Sequence, residues 1–260
     1  MRDPAIVNYH LRMDERQASR FDVDGIVGNL ESPELQRTEV AVEDLRRGVS
    51  SVDFDTDGII FENHRSGISD FASSTDWESL YNDALTEFLQ DRIGAKDVLV
   101  FDHTVRVDDP DAARKPARNV HSDYSESGAT QRDIDLVGET RARDYEAGHY
   151  AFVNVWRPVE KSIQTSPLGF IRPSSVEAED WMTIDLIYPD RIGQILGVAA
   201  NTQHDWFYCS EMTPDEVAVF NIYDNRGRPF LGHSALDMKA TGSTPVVRKS
   251  IESRTLIRFE

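Results

Sequence analysis

The sequence predicts a mainly β protein with flanking helices, built on a double-stranded β-helix core, a jelly roll of the cupin-like kind. Three observations predict it. Short runs rich in β-branched and aromatic residues crowd the second half of the chain. Turn-forming clusters separate them, and Pro158, Pro167, Pro173, Pro189 and Pro229 all fall between runs, where proline does least harm to a ladder. One strongly periodic helix stands apart, in the first third.

In chain order, residues 1–40 read as polar and irregular, and 40–43 as a short strand. Residues 53–62 (DFDTDGIIFE) read as a turn and then a strand, punctuated by Gly58. The clearest helix covers 79–93, with Leu80, Ala84, Leu85, Phe88 and Leu89 at helical spacing and Gly94 as its stop. Residues 98–107 (VLVFDHTVRV) follow as a strand, and 108–118 as a charged loop. From Val120 onward strand signals dominate, at 149–156, 181–188, 206–210, 216–223 and 254–259. The expectation is one domain over 1–260, with a helix-bearing part at 1–97 and the jelly-roll core at 98–260. A cavity between the two sheets is the natural place for a small-molecule site.

Composition narrows the function. A formal net charge of −18 leaves no basic stripe for phosphates, so neither nucleic acid nor an anionic membrane is an expected partner. Cys209 is the only cysteine, which excludes an intramolecular disulfide and a cysteine-based zinc cluster. The N-terminal residues lack the apolar core of a signal peptide, and the apolar run at 192–200 is too short to span a bilayer. A cytoplasmic, soluble protein acting on a small molecule is expected. The sequence holds neither a glycine-rich phosphate loop nor a G-x-S-x-G elbow.

The chemistry points to a metal. His121-Ser122-Asp123 is an H-x-D pair, and on a strand positions i and i+2 share a face. His233 in FLGHSA is the best third ligand, with His103 and His204 as rivals. Two histidines and a carboxylate make the facial triad of non-haem iron(II) oxygenases, which leaves positions open for a co-substrate and O₂. Arg248 and Ser250 (R-x-S) also share strand parity. The Arg248 guanidinium could clamp the far carboxylate of 2-oxoglutarate, with the Ser250 hydroxyl adding a hydrogen bond. Arg106 and Arg254 are alternative anchors.

Several residues have both a binding and a structural reading. Arg157 either meets an acidic substrate group or makes a structural ion pair, and it faces away from Asn154 and Trp156. With Arg106 it makes a carboxylate-bearing, amino-acid-like molecule an expected substrate. Trp206 and Tyr208 share a face and either wall the substrate or belong to the core. Tyr124, next to Asp123, either lines the entrance or is a partly exposed strand residue. Cys209 reads as a small buried apolar residue.

Longer words in the chain carry a resemblance. They include EDLR at 43–46, FDTDG at 54–58, FDHTVR at 101–106 and VHSD at 120–123. NVWRP at 154–158, WFY at 206–208, HSA at 233–235 and RKSIESR at 248–254 continue the series. In these the chain resembles the AsaB/CmcJ-like hydroxylase/desaturase family of specialised metabolism. The resemblance implies a jelly roll, Fe(II) at His121, Asp123 and His233, 2-oxoglutarate at Arg248, and O₂ as oxidant. It implies hydroxylation, desaturation or cyclisation of a natural product, and no particular substrate. Gly232 stands before the distal histidine where the family often has proline. Two other readings of the residues stay open: an iron oxygenase that uses no 2-oxoglutarate, and a non-catalytic jelly-roll binding protein.

Overall fold

The structure is a computed structural model. It describes residues 2–26, 29–48, 50–68, 70–71, 77–238 and 246–259. Two sheets face each other, one of eleven strands and one of five. The small sheet runs Ile59–Asn63, Glu216–Asp224, Tyr150–Pro158, Lys249–Arg258, Asp97–Val107, all antiparallel. Its middle strand, Tyr150–Pro158, is buried along its whole length. Phe152 and Trp156 turn toward the large sheet, while Val153 and Val155 turn outward.

The main core lies between the sheets. Phe152, Trp156, Phe220 and Leu256 of the small sheet meet Leu168, Phe170 and Phe207 of the large one. A second core covers the outer face of the small sheet, where helix Trp77–Ile93 lays down Tyr81, Leu85, Phe88 and Leu89. The expected helix is therefore present. Leu80, however, is 65% exposed, because Tyr81 rather than Leu80 occupies the stripe that faces the sheet. A third core, with Tyr9, Val42, Trp206 and Tyr208, lies on the outer face of the large sheet.

The N-terminal segment departs from expectation. Residues 1–40 read as irregular, yet Arg2–His10 and Leu35–Asp44 form a nine-pair antiparallel ladder inside the large sheet. Ala5, Val7 and Tyr9 alternate as buried positions of that third core, a period-2 signal masked by charged and amide neighbours and by Pro4. The 53–62 reading holds more closely. Asp53 caps a single helical turn, Phe54–Asp57, and Gly58 closes it at φ 73°. A Cβ at Gly58 would also meet the Pro229 carbonyl, so both space and dihedral demand glycine there.

A further correction concerns the stretch after Val120, which is not all strand. Helices Glu126–Val137 and Glu139–Ala147 follow the H-x-D directly. Ser125 caps the first, its hydroxyl accepting from the Gly128 amide at 3.0 Å. The first packs against the second and against strand Ile192–Val198. Strands Leu168–Ile171 and Ile192–Val198 also join the large sheet. Among the described residues no helix is long and apolar enough to cross a membrane.

Candidate metal centre

His121 and His233 meet because two short strands pair. His121–Ser122 lies antiparallel to His233–Ala235, with the two histidines directly opposite each other. Their ring centroids are 4.5 Å apart. On its other side His121 pairs with Gly197, where a Cβ would strike the His10 ring. Asp123 sits one residue beyond the strand end, and its Oδ1 lies 3.4 Å from His121 Nε2. One ligand atom from each of His121, Asp123 and His233 falls within 4.8 Å of the others, all three groups being largely buried.

Hydrogen bonds orient each ligand. His121 Nδ1 donates to the Asn119 carbonyl at 2.8 Å, and His233 Nδ1 to the Leu231 carbonyl at 3.3 Å. A carbonyl can only accept, so each Nδ1 carries the proton and each Nε2 presents a lone pair. Asp123 is held from the facing sheet. Its Oδ2 accepts from Asn154 Nδ2 at 2.8 Å and Arg254 Nε at 3.1 Å. Oδ1 is left to face the histidines.

Electrostatics fit the same role. Burial, reinforced by the neighbouring His121, pushes the His233 pKa down to about 4, so the ring is neutral at pH 7. Burial alone would raise the Asp123 pKa, but the Arg254 guanidinium and both histidines outweigh it and hold the carboxyl well below its usual range. Arg254 itself spans Asp123, Asp102 and Glu252, and so ties the ligand to the small sheet.

Behind the histidines lies a small cavity. Arg106, Trp156, Arg248 and Glu252 line it together with His121 and His233. Arg248 is 3% exposed. One of its amino groups donates to the Ser166 carbonyl, the other to Ser250 Oγ at 3.3 Å, and the guanidinium lies 5.2 Å over the Trp156 ring. Its Nε has no partner, and among the described residues no carboxylate pairs with it. Burial and the adjacent Arg106 push its pKa down to about 9. The charges of Asp108 and Glu252 offset this only in part. In front of the histidines a cleft of about 1290 Å³ opens, lined by His121, Asp123, Tyr124, Arg106 and Arg254 among others.

Other expected site residues lie elsewhere. Arg157 is 1% exposed on the outer face of the small sheet. It donates to the His64 carbonyl at 3.1 Å and sits 5.3 Å over the Tyr81 ring. As a substrate-binding residue it is therefore corrected: it shares the side of Val153 and Val155, which helix Trp77–Ile93 covers. Trp206 and Tyr208 are corrected likewise. They pack outside the large sheet, where Trp206 Nε1 donates to Tyr9 Oη at 2.8 Å, and Phe207 between them faces inward. His103 bonds Ser253 and Asn82, and His204 bonds Asp180 and Tyr9, both away from the triad. Tyr124 does line the cleft, against Phe152 at 4.7 Å. Asn154 was legible only as the residue facing away from Arg157. Its bond to Asp123 needed the facing sheet to be in place.

The chain is similar to known proteins over most of its length. A family described as "Oxidoreductase/YMDC permease-like domain" matches residues 7–258. The chain is 30% identical to hydroxylase/desaturase efuI of Hormonema carpetanum, over 85% of this chain and 83% of the relative. It is 28% identical to alpha-ketoglutarate-dependent dioxygenase phiK of Fungal sp. (strain ATCC 74256), over 86% and 85%. Among solved structures it is similar to the iron and alpha-ketoglutarate-dependent endoperoxidase NvfI. The TM-score is 0.87 at 20% identity, covering 98% of this chain and 96% of that one, which shows a shared jelly-roll fold. This chain thus belongs to the oxidoreductase family matched at residues 7–258, alongside relatives that are hydroxylase/desaturases and alpha-ketoglutarate-dependent dioxygenases.

Proposed function

We propose that this protein is a non-haem iron(II), 2-oxoglutarate-dependent oxygenase that oxidises a C–H bond of a small molecule. His121, Asp123 and His233 hold the metal, and Arg248 with Ser250 holds the distal carboxylate of 2-oxoglutarate. The observation that carries this reading is the buried Arg248, which pairs with no carboxylate among the described residues and lines the same cavity as both histidines. A buried guanidinium without a carboxylate is costly unless a bound anion completes it. The donor set of two imidazoles and one carboxylate suits iron(II).

When bound, iron would couple oxidative decarboxylation of 2-oxoglutarate to removal of a hydrogen atom from an unactivated C–H bond. The chain supplies position and insulation. Asn154 and Arg254 keep Asp123 ionised and aimed by one oxygen. Trp156 and Leu168 give the inner cavity apolar walls beside the charged Arg106, Arg248 and Glu252, and help to keep bulk water from the Arg248 guanidinium. Tyr124 and Phe101 wall the outer cleft, where the substrate is to lie. The relatives' names make hydroxylation and desaturation the expected outcomes.

The test is product analysis with the iron-loaded enzyme. Succinate formed from 2-oxoglutarate, and absent in His233→Ala, is the expected result. Iron-dependent O₂ uptake without succinate would move the assignment to an oxygenase that takes its electrons from the substrate. Failure to bind iron at all would leave a jelly-roll binding protein.

A further inference from the structure

The outer cleft does not share the charge of the molecule. The chain carries a formal −18, yet seven arginine and lysine residues line the cleft against three carboxylates. Two of the seven are committed elsewhere: Arg118 to Asp108 and Asp237, and Arg254 to Asp102, Asp123 and Glu252. Arg106 leans on the Lys115 carbonyl at 3.0 Å and on Glu252 at 3.8 Å, at the inner cavity. Arg114, Lys115 and Arg191 are exposed, so water satisfies them.

Arg132 differs. It is half-buried on helix Glu126–Val137 and stacks 4.9 Å over the Phe101 ring. Among the described residues no carboxylate pairs with it. It lies near the phenol of Tyr124, the residue that follows the candidate ligand Asp123. One of its N–H groups is within hydrogen-bond reach of that phenol, and a guanidinium stacked on an aromatic face presents its remaining in-plane N–H groups to a carboxylate. A cationic cleft in an acidic molecule would also draw anions in preferentially.

Another part of the lining is mostly apolar, although Arg191 lies 4.4 Å over the Tyr188 ring there. Phe21 and Tyr188 stack at 4.4 Å, and Leu30 and Ile192 beside the cleft are 51% and 70% exposed. An exposed apolar rim on a concave site indicates a ligand with an apolar body. We propose that the substrate is an apolar small molecule bearing a carboxylate, with Arg132 as the residue that takes the carboxylate. The apolar body then lies toward Phe21, Leu30 and Ile192. This rests on the oxygenase reading only in calling the occupant a substrate.

Fluorescence titration of the metal-free protein with 1-pyrenebutyrate and with its methyl ester tests this independently of iron. A failed cofactor assignment therefore leaves the result interpretable. The acid should bind about tenfold or more tightly than the ester, the size of one charge-assisted contact. Arg132→Gln should abolish that preference while ester affinity, which reports an intact cleft, stays unchanged. Arg132→Lys should keep part of it. The proposal is overturned if acid and ester bind alike in the native protein, or if the preference survives Arg132→Gln. It is equally overturned if the preference disappears in Arg248→Ala instead, since the probe would then occupy the inner cavity.

Discussion

Arg248 makes two opposed demands at the scale of one residue. Without an anion its buried charge is a liability, and with one it becomes a clamp. Arg248→Met should therefore stabilise the metal-free protein, on the order of 1–3 kcal/mol. The same variant should lose 2-oxoglutarate affinity by about a hundredfold or more. Thermal melts and calorimetry on one preparation read both. A fall in stability with 2-oxoglutarate affinity unchanged would mean that Arg248 serves the fold alone. Asn154 makes a gentler case, since its one bond to Asp123 steers a ligand that stays in place without it. Asn154→Ala should weaken manganese(II) binding roughly 10–100-fold with little change in melting temperature. The shared faces of His121 with Asp123 and of Arg248 with Ser250 were legible from their i, i+2 spacing. The side on which Arg157, Trp206 and Tyr208 lie was not. Strand parity says which residues share a face, but only the packed structure says which face is inner.

Among the elements, helix Glu126–Val137 carries a built-in strain. Asp133 is 1% exposed, and neither carboxylate oxygen has a partner. Burial, aided by Glu146, pushes its pKa up from the usual 3.8 to about 6. The folded state thus holds a proton that the unfolded state releases between about pH 4 and pH 6. Stability should fall as pH rises through that window and stay lowered above it. Asp133→Asn should melt higher than the native protein at pH 8 and no differently at pH 3.5; a constant difference across pH would exclude titration as its cause. This helix and its successor escaped the sequence reading because few of their positions are apolar. Their signals were the cap Ser125 and the break at Gly138. Helix Trp77–Ile93 was plain because its stripe packs on a sheet already covered with valine. Leu85→Ala there should cost about 2–5 kcal/mol, read by urea denaturation.

At the scale of the molecule, the two halves of the chain cannot part without breaking both sheets. Leu35–Asp44 pairs with Trp206–Tyr208, Ile59–Asn63 pairs with Glu216–Asp224, and Arg2–His10 pairs with Asp237–Met238. Asn8 bridges to Asn119, whose carbonyl orients His121. A fragment spanning 98–260 is accordingly expected to show no cooperative thermal transition by circular dichroism. A sharp transition would mean that the core folds alone. The jelly-roll class was legible from strand density and turn chemistry, which are local. Strand order was not, because pairs such as Leu35–Asp44 with Trp206–Tyr208 lie far apart in sequence. The central claim is that one buried constellation binds iron(II) and 2-oxoglutarate together. Anaerobic addition of both to the purified protein, followed by visible absorption, tests it most directly. The account predicts a weak charge-transfer band that requires both components, vanishes in His121→Ala and weakens in Arg248→Met. Iron binding without such a band, or a band indifferent to His121, would contradict it.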